Sequence, residues 1–386
     1  MVIYFDNAAT TYPKPEEVYR AQDAYLRRAA NPGRGVHTLA VESARAIFET
    51  RVALASFLGV KSAERLVFTG GCTQALNMAL KGFGLASGDL VITSPLEHNS
   101  VMRPLHQLER AQGIKVQPLS YKGSGTGVVD LDELTSVLAN EHPRLCVMAE
   151  ASNVTGELLD IAEIAGACRK HGVPLLVDAA QSAGFTDARL DDLGISIWCA
   201  SGHKGLLGPP GVGILYVSPE VELEPLIAGG TGSRSEELEM PGQYPDRLEP
   251  GTLSGPAIAG LGAGVAWLQA TGIDRLRRHE LFLAERFLSW AQARKDVEIY
   301  GPEPGGLRTA IVAFQVTGIS ADRVADILDR HWGIAVRAGL HCAAQAHRAL
   351  GTAGTGLVRA SFGYFNTADE VDELCRALSR IAASGG

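Results

Sequence analysis

Between about residues 40 and 255, short apolar runs alternate with segments whose apolar residues recur at helical spacing. The apolar runs lack the polar alternation of a half-exposed strand, so they predict strands that are buried on both faces. Such strands, interleaved with helices, indicate an α/β fold with a parallel or mixed sheet covered by helices. The sequence pattern does not show which strand pairs run antiparallel. The predicted strands are 65–69, 89–93, 116–119, 145–150, 173–178, 195–200 and 213–217, and the predicted helices are 43–58, 72–81, 101–112 and 161–171.

The last third of the chain has a different pattern. Residues 229–250 are rich in Gly, Ser, Glu and Pro and predict a loop, and helical spacing then runs through 257–271 and 274–294. Strands at 307–316, 334–337 and 357–362, with helices at 321–331 and 368–382, predict a compact α+β unit of about 100 residues. The first dozen residues belong with one of the two units, but their pattern does not say which.

Composition narrows the functional classes. The 386 residues are 46% apolar and 20% charged, which is typical of a globular chain rather than a disordered one. A net charge of −8 gives no basic surface for nucleic acid or for an anionic membrane. No apolar stretch reaches the length of a membrane span, and the N-terminus lacks the basic and apolar regions of a secretory signal. The six cysteines have no CxxC spacing, so we expect a cytoplasmic enzyme without disulfides or zinc clusters.

Lys204 is the first candidate for chemistry. It follows the strand predicted at 195–200 and lies between Ser201-Gly-His203 and Gly205, with apolar Leu206 and Leu207 next. An amine that is desolvated in such a turn becomes a nucleophile or a Schiff-base former. A surface lysine in a glycine loop fits the local sequence equally well.

Asp178 ends a strongly apolar predicted strand. Ligands of open α/β sheets bind beyond the carboxyl ends of strands, so a carboxylate here is a candidate ligand. It could hold Mg²⁺ with a nucleotide, but the chain has no GxxxxGK[ST] loop for the phosphates. It could instead keep a heterocyclic nitrogen protonated, as an Asp does for pyridoxal phosphate, or it could simply cap a helix.

Other polar groups also follow predicted strands. Thr69-Gly-Gly-Cys-Thr-Gln74 precedes a helix and can cradle a phosphate with its amides and the Thr73 hydroxyl. His98 and Asn153 each follow a strand, where both could be purely structural. Cys342 lies in a Gly/Ala/His loop near Arg337 and His341, and cationic neighbours favour the nucleophilic thiolate. A small buried core residue is the alternative for this cysteine.

The motifs described above, together with others in a fixed order along the chain, make the sequence similar to one family over nearly its whole length. The chain resembles the class V aminotransferase-like family of pyridoxal-phosphate enzymes, in its cysteine desulfurase and selenocysteine lyase branch. The motifs that carry the resemblance are Tyr4-Phe-Asp-Asn-Ala-Ala-Thr-Thr11, Glu97-His98-Asn99, Ser152-Asn153-Val-Thr-Gly156, Val177-Asp178-Ala-Ala-Gln181, Ser201-Gly-His-Lys204, Glu249-Pro-Gly-Thr252, the Cys342 loop and Arg359-Ala-Ser-Phe-Gly-Tyr-Phe-Asn366.

The resemblance implies a role for each site residue. Lys204 would carry the cofactor as a Schiff base, with Asp178 at the pyridine nitrogen, Gln181 at the phenolic oxygen and His98 stacked on the ring. The implied phosphate ligands are Thr73, Ser201 and His203, with Thr252 reaching over from the second subunit of a homodimer. The implied clamp for the substrate carboxylate is Asn153 and Arg359, because a guanidinium pairs both carboxylate oxygens. Cys342 would accept the sulfur.

The resemblance also implies fold type I of the pyridoxal-phosphate transferases. Residues 14–258 would form a large cofactor-binding domain with a mostly parallel mixed sheet. Residues 1–13 and 259–386 would form a smaller α+β domain with the acceptor-cysteine loop, which would be mobile so that sulfur can reach an acceptor protein. Two positions depart from the family's common loop pattern: Leu340 stands in place of a second histidine, and Ala344-Gln345 in place of a proline.

The expected reaction is removal of sulfur from L-cysteine to give L-alanine and a persulfide on Cys342. A selenocysteine lyase acting on L-selenocysteine would use the same residues. An ordinary aminotransferase or C–S lyase, in which Cys342 is incidental, is a more distant alternative. A scaffold without activity is disfavoured, because the chain retains both Lys204 and Cys342. We expect no metal, no nucleic acid and no membrane among the partners.

Overall fold

The computed structural model of the protein describes residues 2–28, 30–32, 35–122 and 129–384. Within them, strands and helices alternate as the hydrophobic pattern predicts. The strands are β1 Ile3–Tyr4, β2 Leu66–Thr69, β3 Leu90–Thr93, β4 Lys115–Pro118, β5 Leu145–Ala149, β6 Leu175–Asp178, β7 Ile197–Ser201, β8 Gly213–Val217, β9 Val297–Tyr300, β10 Ile311–Val316, β11 Ile334–Ala335, β12 Arg337–Gly339 and β13 Leu357–Ser361. The helices are α1 Glu16–Arg28, α2 Thr38–Leu58, α3 Cys72–Gly82, α4 Asn99–Gln112, α5 Leu131–Asn140, α6 Ile161–Lys170, α7 Leu190–Leu193, α8 Gly255–Thr271, α9 Ile273–Gln292, α10 Ala321–Trp332, α11 Ala344–Ala349 and α12 Ala368–Ser384.

A seven-stranded sheet has the order β2-β8-β7-β6-β5-β3-β4. The pairs from β7 through β4 are parallel, and β8 runs antiparallel to both of its neighbours. The inner strands β5, β6, β7 and β8 are buried along their whole length, and β3 is buried except at Leu90, which explains their unbroken apolar runs. Only β4, at the edge, carries exposed residues, Lys115 and Pro118, which suit an unpaired edge. The predicted α/β class with a mostly parallel mixed sheet is confirmed.

Successive side chains of the buried strands enter two apolar clusters, one on each face of this sheet. In β6, Leu175 and Val177 pack into one cluster and Leu176 into the other. The first cluster also takes up the apolar side of α8, and the second takes up α3 and α4. Because both faces are covered, polar groups concentrate at the ends of the strands.

A four-stranded sheet of order β12-β13-β10-β9 has its own apolar cluster, formed with α9, α10 and α12. The first residues of the chain contact this part of the structure. Strand β1 pairs with β11, Asp6 forms a bridge with Ser361, and Phe5 is buried in the cluster of this sheet.

Several elements differ from the predictions. The strand predicted at 334–337 is two strands, because β11 pairs with β1 whereas β12 pairs with β13. The strand predicted from 307 begins at Ile311. Helix α1 was missed; it buries only Val18 and packs against α8. Helix α5 and the half-buried strand β9 were missed as well. Among the described residues, none of the helices has the length and apolarity of a membrane span.

Candidate active site

The carboxyl ends of β2, β5, β6 and β7 meet at one edge of the large sheet, where a cavity of about 660 Å³ opens. Asp178 and Ser201 are the last residues of β6 and β7. Polar groups that lie far apart in sequence therefore face one space, as the crevice rule for open α/β sheets predicts. The predicted site residues that line this cavity are Thr73, His98, Asn153, Asp178, Gln181, Ser201, His203 and Lys204.

Lys204 lies in the turn after β7. This turn packs so closely on its neighbours that a Cβ on Gly205 would lie 2.3 Å from the carbonyl oxygen of Ala183. Within the described residues the Lys204 amine makes no hydrogen bond and lines the cavity, so it is not a solvated surface lysine. Burial lowers its pKa, against the opposing effects of Cys72 and Asp178. The neutral amine, which is the nucleophilic form, is thus favoured.

Asp178 is buried, and one of its oxygens is held by the protein. Oδ1 accepts hydrogen bonds from the Ala180 N–H at 3.0 Å and from the Cys72 thiol at 3.5 Å. No helix begins here, since the next one is α7, so the helix-cap alternative is wrong. Among the described residues Oδ2 has no hydrogen-bond partner, and it can meet a positively charged group in the cavity.

His98 caps the N-terminus of α4. Its Nδ1 accepts a hydrogen bond from the Ser100 N–H at 3.0 Å, which assigns the proton of the neutral ring to Nε2. Burial lowers the pKa of His98, so the ring is neutral. The Ser100 hydroxyl also contacts the Thr73 hydroxyl at 2.8 Å and so links the first turns of α3 and α4.

The residues that are predicted to cradle a phosphate lie at the N-terminus of α3. Gly70 and Gly71 line the cavity before the helix, and Gly71 has a φ of 152°, which favours glycine. Opposite, the buried Nδ1 of His203 has no hydrogen-bond partner among the described residues. Burial lowers the pKa of His203 to about 4, so its ring is neutral and has one N–H to donate. Amide, hydroxyl and imidazole donors at a helix N-terminus fit a phosphate.

The predicted carboxylate clamp is partly occupied by the protein itself. The buried Arg359 donates to Asp6 Oδ1 at 2.7 Å and to the carbonyl oxygen of Asn153 at 2.8 Å. Its Nε is buried without a partner among the described residues, but Arg359 does not line the large cavity. The side-chain amide of Asn153 donates to the carbonyl oxygen of His341 at 2.7 Å. Their role as a clamp stays a prediction.

Two further predicted residues lie at the border of the cavity. The Gln181 side-chain amide donates to the carbonyl oxygen of Ala8 at 2.9 Å and ties the N-terminal segment to the cavity wall. Thr252 lines a separate cavity of about 220 Å³, which shares Gly70 and Gly211 with the large one. Its contribution across a subunit interface stays a prediction.

Cys342 is exposed, whereas the other five cysteines are buried, so the alternative of a small core residue is wrong for it. It does not line the cavity, but its turn is bound to segments that do. Its carbonyl oxygen accepts a hydrogen bond from the Asn99 N–H at 2.8 Å, next to His98. The preceding carbonyl, that of His341, is the one held by Asn153.

The structure adds residues that the sequence did not single out. Cys72, within the Thr69–Gln74 motif, contacts Asp178, and Ser100, directly after the Glu97-His98-Asn99 motif, joins His98 to Thr73. Lys14 donates to the carbonyl oxygen of His203 at 2.6 Å, and burial lowers its pKa to about 8. Only the docking of the N-terminal segment reveals this contact. No group of metal-binding side chains occurs in the described part of the chain.

A family model described as Aminotransferase class-V matches residues 3–374. The chain belongs to this family. A relative from Methanothermobacter thermautotrophicus named a probable cysteine desulfurase is 36% identical over 390 residues, with 99% of this chain and 95% of that protein covered. A cysteine desulfurase from Dickeya dadantii is 32% identical over 386 residues, with 98% and 91% covered.

Solved structures agree with this membership of the class V aminotransferases. The apo structure of a cysteine desulfurase from Thermococcus onnurineus NA1 matches with a TM-score of 0.91 at 32% identity, covering 99% of this chain and 95% of that one. A cysteine desulfurase from Escherichia coli, in an S-sulfonic acid form, matches with a TM-score of 0.87 at 27% identity and the same coverage. The predicted fold type is confirmed.

Class V aminotransferases depend on pyridoxal phosphate, and the cavity residues fit that group. The unpartnered Nδ1 of His203 and the amides before α3 suit its phosphate. The unpaired amine of Lys204 suits its aldehyde, and the available oxygen of Asp178 suits its ring nitrogen.

Proposed function

We propose that this chain is a pyridoxal-phosphate-dependent cysteine desulfurase that converts L-cysteine to L-alanine and takes the sulfur on Cys342. The observation that carries the proposal is the combination of a desolvated lysine amine in the cavity with one exposed thiol. The turn of that thiol is hydrogen-bonded to Asn153 on the cavity wall and to Asn99, which follows His98. The names of the relatives and structural neighbours support it.

Bound pyridoxal phosphate supplies an electron-withdrawing ring that makes the α-hydrogen of an amino acid acidic. Lys204 and Asp178 have different roles in this step, because one accepts a proton and the other stabilises a positive charge. The Lys204 amine, whose pKa is lowered by burial, accepts the α-proton. The available carboxylate oxygen of Asp178 stabilises positive charge on the ring nitrogen. The neutral ring of His98, fixed by Ser100, offers a flat face and one N–H in the same cavity.

Sulfur transfer is assigned to Cys342. Its thiolate attacks the sulfur of the substrate, and a bond forms between the two sulfur atoms as the carbon–sulfur bond breaks. The electron pair of the broken bond goes to the β-carbon, which takes up a proton, and the α-carbon takes back the proton held on Lys204, so that alanine is formed. Cys342 is left as a persulfide, and its exposure allows the terminal sulfur to pass to an acceptor.

Three features stay predictions under this proposal. They are a homodimer in which Thr252 reaches the neighbouring phosphate site, an acceptor protein reached by a mobile Cys342 loop, and a cytoplasmic location. The division into residues 14–258 on one side and 1–13 with 259–386 on the other is likewise a prediction. The relatives are named for cysteine, so selenocysteine lyase activity is not favoured.

The test is alanine formation from L-cysteine by the enzyme loaded with pyridoxal phosphate, without any keto acid. We expect turnover in the wild type and a loss of at least about a hundredfold in Cys342→Ala, which should keep the cofactor absorbance. Cys375→Ala, at a buried position on α12, is the matched control and should stay active. Strict dependence on a keto acid would show an aminotransferase, and faster turnover of L-selenocysteine through a route independent of Cys342 would show a lyase.

A further inference from the structure

The turn at residues 340–343 presents Cys342 in an unusual backbone conformation. His341 and Cys342 have φ values of 49° and 55°, so two consecutive residues with side chains lie in the left-handed region. Residues other than glycine disfavour this region and keep it only where their surroundings enforce it. Something next to this turn must therefore hold it.

Hydrogen bonds hold the backbone of the turn on one side. The carbonyl oxygens of His341 and Cys342 accept from Asn153 and Asn99, and the Ala343 N–H donates to the Leu340 carbonyl at 2.9 Å. These contacts fix two carbonyl groups but leave the His341 side chain to be fixed by something else. That side chain is turned inward and buried, while the neighbouring thiol is exposed.

His347, one turn along on α11, packs directly on the His341 ring. The two ring centroids are 5.6 Å apart with an angle of 22° between the planes, which is a stacked arrangement. His347 is fully buried, and its Nδ1 contacts the Thr352 hydroxyl at 2.8 Å. The Thr352 N–H in turn donates to the His347 carbonyl at 2.8 Å. The imidazole plane of His347 is therefore fixed from behind.

Helix α11 itself is anchored to the cavity wall. Ala343 and Ala346 are fully buried in an apolar cluster with Leu96 and Val154, which lie beside His98 and Asn153 in sequence. Helix α11, which carries His347, is thus fixed to the wall of the cavity. The stack of His347 on His341 therefore joins the turn of Cys342 to this wall through side chains, in addition to the backbone hydrogen bonds.

Neither ring is suited to proton transfer near neutral pH. Burial lowers the pKa of His341 to about 3, and the cations Arg337 on β12 and Arg359 on β13 contribute to this shift together with His347. Burial also lowers the pKa of His347. Both rings are uncharged where the enzyme works, so their contribution is geometric.

We propose that His347 is a positioning residue for Cys342, because its ring, stacked on His341, holds the left-handed turn that presents the thiol to the substrate. The inference rests on the proposed function, in which Cys342 accepts the sulfur. His347 touches neither the cavity nor the thiol, so it acts through His341 alone.

The test compares holoenzymes of three variants. His347→Leu removes the flat ring, His347→Phe keeps a flat ring without the hydrogen bond, and Thr352→Val keeps the imidazole but removes its partner. His331→Leu, at an exposed histidine on α10, is the control. Two rates are measured with L-cysteine: the change in cofactor absorbance on mixing, which precedes sulfur transfer, and the formation of alanine.

We expect His347→Leu to lower kcat for alanine about fivefold, the typical effect of losing one aromatic stack, with KM within about twofold of the wild type. The absorbance change should keep its rate, and the His347→Phe and Thr352→Val variants should retain most of kcat. If His347→Phe is no more active than His347→Leu, or if His347→Leu slows both rates equally, His347 has only a structural role and the proposal is wrong. Failure of the proposed function would look different, since the wild type itself would then form no persulfide on Cys342.

Discussion

A buried ion pair ties the loop before Thr252 to the large sheet, and its removal gives a quantitative test of the packing. Both oxygens of Glu249 accept from the Arg51 guanidinium at 2.8 Å, and Oε1 also accepts from the Phe68 N–H at 2.6 Å. The side chains of Arg51 and Glu249 are only 7% and 6% exposed. Arg51 also donates to the Leu66 carbonyl and lies over the Phe68 ring at 4.5 Å.

Glu249→Gln should destabilise the fold by about 3 kcal/mol, because it leaves the Arg51 cation buried without a counter-charge. Burial raises the pKa of Glu249 in spite of Arg51, so taking both charges out of water is costly. The double variant Arg51→Met/Glu249→Leu should therefore recover most of the loss, since it removes both charges at similar volume.

The assay is urea unfolding of the holoenzymes, followed by circular dichroism. Asp372→Asn is the matched control: it breaks an equally bidentate pair with Arg286, at 2.6 and 2.7 Å, whose side chains are 35% and 41% exposed. We expect a much smaller loss there, because water screens that pair. Equal losses for Glu249→Gln and Asp372→Asn would refute the argument from burial, and so would a double variant as unstable as Glu249→Gln.

Three further predictions concern two residues of the cavity and the buried Glu97. Lys204→Ala should lose the yellow colour of the bound cofactor after dialysis, and its rate of alanine formation should fall at least about a thousandfold. Absorbance and amino-acid analysis measure the two effects; retained colour and rate would place the cofactor elsewhere. Asp178→Asn should lower kcat about a hundredfold, because the ring nitrogen loses its counter-charge, and steady-state kinetics at saturating cofactor measure this; an unchanged kcat contradicts it. Burial raises the pKa of Glu97 to about 8, so the folded protein keeps a proton that the unfolded chain releases above about 4.5. Stability should therefore fall as pH rises between these values, and urea titrations of Glu97→Gln should show a shallower fall than those of the wild type; identical slopes would count against a protonated Glu97.

Much of the fold could be predicted because the large sheet is buried on both faces. Its strands read as unbroken apolar runs, and Gly59 ends α2 in the left-handed conformation, as expected of a helix stop. Polar residues that directly follow such strands, Asp178 above all, could be placed together for the same reason. The local pattern did not single out α1, which buries only Val18 and packs against α8.

The rest of the site depends on contacts between distant segments. Strand β1 has two residues, too few to show a period, so the docking of Asp6 on Arg359 and of Lys14 on His203 could not be derived. The same limit applies to His341 and His347, which are six residues apart across a turn and a short helix. The stacking occurs together with the left-handed backbone at His341 and Cys342, and no residue type at those positions predicts either feature.

The central claim is that sulfur passes from L-cysteine to Cys342 beside a cavity that holds the cofactor on Lys204. Its most direct test is a single turnover of the holoenzyme with one equivalent of L-cysteine, followed by mass spectrometry of the peptide that contains Cys342. We expect one added sulfur atom on Cys342 and an equal amount of alanine. Alanine formed with an unmodified Cys342, or sulfur found on another cysteine, would contradict the account.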